Sequence, residues 1–167
     1  MLACVDVDYR SHQAVAACLL FHDWPDAASS DEWIVPLPPA APYVPGQFYE
    51  RELPCLLSAL RHRGEQPFAA IVIDSYVWLD ASGRPGLGAH LYEALGQRTP
   101  IIGVAKTRFA GADFAVPVRR GDNQSALYVT AAGLAPEAAA AGVARMHGPY
   151  RIPTLLKRVD RLCRDAP

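Results

Sequence analysis

Apolar and polar positions alternate along residues 2–9 (LACVDVDY) with a period of two. This predicts a β-strand that turns Asp6 and Asp8 to one face and Val5 and Val7 to the other. Apolar runs at 13–22 (QAVAACLLFH) and 32–38 (EWIVPLP), separated by turns dense in Asp, Pro and Ser, predict two further strands and a three-stranded meander. Leu53, Leu56, Leu57 and Leu60 then recur at helical spacing, in a helix whose first turn is expected to hold Pro54. The almost uniformly apolar run 68–74 (FAAIVID) reads as a strand buried on both faces with Asp74 at its C-terminal end. A loop at 75–86, a helix at 87–96 ending on Gly96 and a second buried strand at 100–107 running into Lys106 complete a β-α-β unit. FAVPVRR and ALYVTAA around the turn GDNQ suggest a hairpin, and helices are expected at 136–147 and from about Pro153 onward.

Three antiparallel strands followed by right-handed crossovers give an α/β fold, a mixed sheet with flanking helices in the ribonuclease H-like arrangement. There the first strand and the strand after the first helix are neighbours. Asp6 would lie beside Asp74, with Glu52 approaching from the helix between them.

Length and composition agree with one domain spanning 1–167: 51% of residues are hydrophobic and 20% charged. Met1 leads into an apolar run without the basic segment and long apolar core of a signal peptide, and no apolar stretch approaches membrane-spanning length. A cytoplasmic, monomeric protein with no membrane association is expected. Cys4, Cys18, Cys55 and Cys163 show no C-x-x-C spacing and read as buried free thiols. The net charge of −1 hides an asymmetry, −6 over residues 1–105 and +5 over 106–167. Arg119, Arg120, Arg151, Lys157, Arg158 and Arg161 are candidate phosphate contacts on the basic part, with an ordinary solvated surface as the alternative.

Carboxylates packed within a few ångströms repel unless a cation or a proton intervenes. Convergence of Asp6, Glu52 and Asp74 would therefore make either a divalent-metal site or a set of acids with raised pKa. Oxygen-only donors favour Mg²⁺ or Mn²⁺ and the chemistry of phosphodiester hydrolysis. Three unrelated acids at strand and helix ends remain the alternative.

Asp6 in its short apolar strand, the string PYVPGQFYERELP (42–54), Asp74 closing IVID, GVAKT (103–107) and RIPTLLKRVDRL (151–162) resemble, in order and spacing, the motifs of the endonuclease V family. The resemblance covers nearly the whole chain and rests most on Pro42-Tyr43-x-Pro45-Gly46 followed by Arg51-Glu52. It implies a ribonuclease H-like nuclease that cuts DNA or RNA near inosine with Mg²⁺ or Mn²⁺, on strands that are single or locally unpaired. It further implies Asp6, Glu52 and Asp74 as metal-binding catalytic carboxylates and Lys106 as the cation near the scissile phosphate. Tyr43 becomes the strand-separating wedge, and Pro45, Gly46, Ser75 and Arg151 lie in the nucleic-acid-binding surface. Asp8 is read as a solvated acid or a support behind Asp6. A rival reading is a binding module of the same fold that has lost turnover.

The chain departs from the family at its start, where the first catalytic strand begins almost at Met1, and after Asp74, where the loop is longer and lacks a histidine. Tyr76, Trp78 and Asp80 are expected to crowd a base pocket there with bulk and negative charge, weakening or altering a preference for inosine. The alternatives are a loop folded back, with Gly83 and Gly86 giving the close backbone approach and Trp78 a wall, or Val77 and Trp78 capping the core.

Overall fold

The computed structural model describes residues 1–39, 42, 44–45, 47–64, 67–111 and 113–167. β1 (Leu2–Tyr9), β2 (Ala14–Phe21) and β3 (Asp31–Leu37) form the antiparallel meander expected from their pattern. α1 (Phe48–Arg61) crosses to β4 (Ala70–Ile73), which pairs parallel with β1. α2 (Leu87–Ala94) crosses to β5 (Ile101–Ala105), parallel with β4. The hairpin of β6 (Val116–Val118) and β7 (Leu127–Ala132) follows, with β7 antiparallel to β5, and α3 (Pro136–Arg145) and α4 (Thr154–Arg164) end the chain. Among the described residues this makes one seven-stranded mixed sheet in the order β3-β2-β1-β4-β5-β7-β6.

Alternation along β1 divides the core. Leu2 and Cys4 pack with Val143 of α3 and Leu155 and Val159 of α4, whereas Ala3 and Val5 pack with Leu56 and Leu60 of α1 and Leu91 of α2. Asp6 continues the α4 side, at the point where β1 passes from buried to half-buried. The four cysteines are buried and unpaired. No described helix is long and apolar enough to cross a membrane.

Pro54 does not lie in the first turn of its helix. α1 starts at Phe48, so the proline falls in the second turn, on the exposed side. An interior proline costs a helix about 3 kcal/mol. Burial of Cys55, Leu56, Ala59 and Leu60 against the sheet outweighs that cost, aided by the Trp33 indole N–H donating to the Ala59 carbonyl at 2.9 Å.

The segment after β4 is locked across the face of β5. Val77 N–H donates to the buried Thr130 Oγ1 at 2.8 Å, and the Trp78 indole N–H to the Ala131 carbonyl at 2.9 Å. This crossing requires Gly103, because a Cβ there would stand 2.4 Å from the Ser75 carbonyl oxygen and 2.9 Å from Val77 N. Gly103→Ala should therefore destabilise the protein by roughly 1–3 kcal/mol in urea unfolding, the usual cost of forcing atoms into a packed core. An unchanged midpoint would mean that the segment does not press on β5 in solution.

Candidate active site

The parallel pairing of two neighbouring strands places the first pair of acids. β1 and β4 pair with Val5 opposite Ile73, so Asp6 and Asp74 follow side by side where the strands leave the core. Asp6 is half-buried and its Oδ1 accepts the Val7 N–H at 2.9 Å. Burial pushes its pKa up from 3.8 to about 6. The Val7 hydrogen bond opposes the rise, repulsion from Asp74 and Asp160 adds to it, and Lys106 opposes it weakly. Glu52, half-buried on α1, is driven from 4.5 to about 8, chiefly by burial and then by the charges of Asp6 and Asp74, with Arg51 opposing. Arg51 lies over the Tyr9 ring, its guanidinium carbon 3.9 Å from the ring centre.

The sequence-predicted acids thus converge electrostatically. Among the described residues, however, no three His, Cys, Asp or Glu side chains form a ready-made cage for a metal ion. The Asp74 carboxylate instead forms an ion pair with the Lys106 ammonium, which emerges from the end of the neighbouring strand β5. Asp8 is paired with Arg10 at 3.2 Å.

Asp160 on α4 was noted only as part of a motif, yet it faces the same site. It raises the pKa of Asp6 and shares a cavity wall with Asp74 and Lys106. Its position four residues after the buried Leu156 is the signal that could have placed it on the sheet-facing side.

The basic residues serve two different purposes. Arg120 is 6% exposed and forks onto backbone carbonyls, donating to Tyr150 at 2.8 Å, Arg151 at 3.3 Å, Gly148 at 3.2 Å and also Met146. Arg158 is held by Glu32, Nε to Oε2 at 3.0 Å. Arg120 is therefore not the phosphate contact that its charge suggested, whereas Arg158 is an exposed, ion-paired side chain. Arg151 donates to the carbonyls of Lys106 and of Ala126, the latter at 2.9 Å, and so braces the backbone that carries Lys106. Arg119, Lys157 and Arg161 are exposed.

Ser75 is half-buried next to Asp74, and Pro45 is exposed in a turn closed by Gln47 N–H donating to the Val44 carbonyl at 3.0 Å. Tyr43 and Gly46 lie outside the described residues. The expected crowding by the loop after Asp74 is not what the structure shows. Tyr76 and Val77 are buried, the Trp78 indole is bonded to β7, and the Asp80 carboxylate accepts the N–H groups of Ser82 and Arg84 at 3.0 and 3.1 Å, closing its own turn. The aromatic bulk of the loop is directed into the protein, while the Asp80 charge is held in its own surface turn beside Arg84.

A mixed sheet with an antiparallel meander, two parallel pairings and acids gathered where the pairing of β1 with β4 ends is the ribonuclease H-like fold. The family model for endonuclease V matches residues 1–147. Over 130 residues the chain is 34% identical to endonuclease V of Xanthomonas oryzae pv. oryzae (strain PXO99A), covering 74% of this chain and 51% of that protein. The crystal structure of endonuclease V from Streptomyces avermitilis superposes with a TM-score of 0.74 at 27% identity, over 98% of this chain and 79% of that one. Ciona intestinalis endonuclease V, solved with a 24mer DNA containing an inosine followed by a ribo-adenosine, shares the fold at a TM-score of 0.77 and 17% identity, over 98% and 84% of the two chains. The chain belongs to the endonuclease V family. It spans about half the length of the Xanthomonas relative.

The raised carboxyls fix a sign for pH dependence. An acid whose folded pKa exceeds its unfolded value binds more protons when folded, so stability is full below the unfolded value and is lost as pH rises toward the folded one. In buffer with a chelator, stability should fall between about pH 4 and pH 8, by roughly 1–3 kcal/mol once the partial hydration of a half-buried group is allowed for. Glu52→Gln should remove most of that slope. Urea midpoints across this range give the test, and a profile as flat in the native protein as in the variant would contradict the cluster.

Proposed function

We propose that the protein is an endonuclease that hydrolyses a phosphodiester bond near inosine in a nucleic-acid strand, with Asp6, Glu52 and Asp74 as its catalytic carboxylates. The observation that carries this reading is the gathering of the three acids, two of them raised in pKa, beside the Lys106 ammonium. The strand is DNA or RNA: the Ciona relative of the same fold was solved on a DNA containing an inosine followed by a ribo-adenosine.

The residues also fit a hard divalent cation. Their donors are all oxygen, and burial together with mutual repulsion, which raises Asp6 and Glu52 above their ordinary pKa, is what a bound cation would offset. Asp6, Glu52 and Asp74 would hold Mg²⁺ or Mn²⁺, and Asp160 stands close behind. When bound, such an ion neutralises phosphate charge and acidifies water.

The chain's own groups do the rest. Lys106 offers a positive charge where the phosphate becomes more negative in the transition state, and Arg151 fixes the backbone from which that charge is presented. Burial, with the charges of Asp6 and Asp74 behind it, raises Glu52 to about 8, which places its carboxyl to hold or release a proton near neutral pH.

Labelled strands differing only in inosine, adenine or uracil at one position, prepared as DNA and as RNA, provide the assay. Nicking in Mg²⁺ or Mn²⁺ should be fastest beside inosine and absent in chelator. Asp6→Ala and Asp74→Ala should lower the rate at least about 10³-fold, and Lys106→Met about 10²- to 10³-fold, the range for removing a group that stabilises transition-state charge. Tight binding with no cleavage in either metal would make the protein a binding module instead.

A further inference from the structure

Beside the Asp74–Lys106 pair lies a cavity of about 1000 Å³ between the β6–β7 turn and the start of α4. Its lining includes the apolar side chains of Val104, Leu127, Ile152 and Leu156, and at its mouth stands Tyr150, 72% exposed. We propose that this cavity is a nucleotide subsite for the strand being cut, in which the base next to the scissile bond is laid on the Tyr150 ring. The proposal rests on the reading of Asp74 and Lys106 as the cleavage point.

An exposed aromatic on a loose loop would carry little meaning. The backbone beneath Tyr150 is instead clamped. Arg120, itself buried, donates to the carbonyls of Gly148, Tyr150 and Arg151 among its partners. From the facing turn Gly121, at φ +61°, comes so close that a Cβ would stand 2.2 Å from the Pro149 carbonyl oxygen. A large apolar ring is thus presented to water from a rigid support, the form of a stacking platform that loses little entropy on binding.

Charge selects which part of a nucleotide enters. The cavity balances Asp74, Asp122 and Asp160 against Lys106, Arg151 and Lys157, so away from the Asp74–Lys106 end it offers a phosphate no net attraction and accepts an uncharged base. A second cavity of about 640 Å³ adjoins it, sharing Lys106, Gln124 and Arg151, and adds Arg108 and Arg119 against the single acid Asp113. The base therefore takes the Tyr150 cavity while the sugar-phosphate backbone follows the basic trench. In the Tyr150 cavity the Asn123 side-chain oxygen accepts the Ser125 N–H at 3.0 Å, which leaves its amide NH₂ as a donor for a base edge.

Single-stranded oligonucleotides in chelator test this by binding alone, with 2-aminopurine placed in turn at each position flanking the inosine. One position should show strong quenching with the native protein. Tyr150→Phe should keep both quenching and affinity, and Tyr150→Ala should lose the quenching and bind about 5- to 100-fold more weakly, the range for one stacked base. Removing the base at the quenched position should weaken native binding by the same factor and leave Tyr150→Ala unaffected. Equal affinities for the native protein and Tyr150→Ala, or losses that simply multiply, would overturn the subsite, as would failure of the native protein to bind any strand. If Tyr150→Ala binds weakly as expected but no protein cleaves in Mg²⁺ or Mn²⁺, the subsite stands and the nuclease reading falls. If cleavage depends on Asp74 while Tyr150→Ala matches the native protein in KM and affinity, the nuclease reading stands and the subsite falls.

Discussion

Parallel pairing of β1 with β4 is the constraint on which the rest of the structure depends. Hydrophobic burial along both strands sets their register, Leu2 opposite Ala70 through Val5 opposite Ile73, and Asp6 and Asp74 must then emerge together at one edge. No local preference favours two carboxylates as neighbours. The cores on the two faces of the sheet hold them there against their repulsion, and the site inherits its geometry from apolar packing some residues away.

That repulsion is partly answered by cations borrowed from other elements. Lys106 comes from the next parallel strand, so the β-α-β unit that aligns β4 with β5 also delivers the counter-charge to Asp74. Its carbonyl is held by Arg151, whose loop is held by Arg120, and the Arg120 side chain is surrounded by carbonyls. A buried guanidinium facing only carbonyl dipoles is costly to desolvate, and burial lowers the Arg120 pKa accordingly. The return is a loop fixed in shape beside the acids.

Strand alternation and uniform apolar runs made the sheet legible in the sequence. The two-residue period of LACVDVDY placed Asp6 opposite in face to Val5, and FAAIVID marked a strand buried on both sides with its acid at the end. Pro54 was misplaced because a local rule about proline met a helix held by tertiary packing, which does not show in a window of a few residues. Arg120 and Arg158 were read as free charges for a related reason: their partners are carbonyls 26 to 31 residues away and a glutamate 126 residues away. Composition counts charges without saying what they face. The loop after Asp74 was read as bulk in a pocket, whereas Thr130 and Ala131 of a strand more than 50 residues on draw it into the protein.

Both kinds of misreading concern polar groups with distant partners, and those partners are what separate a carboxylate cluster from an active site. Three acids at strand ends would by themselves be an electrostatic liability that spreads apart or protonates. Here they cannot spread, because β1, β4 and α1 are each fixed by their own apolar faces. The free energy of the core is thereby converted into a standing demand for positive charge at one edge of the sheet, met in part by Lys106. A phosphate-bearing ligand answers that demand only in company with a cation, so the sheet that assembles the acids also sets the condition for binding there.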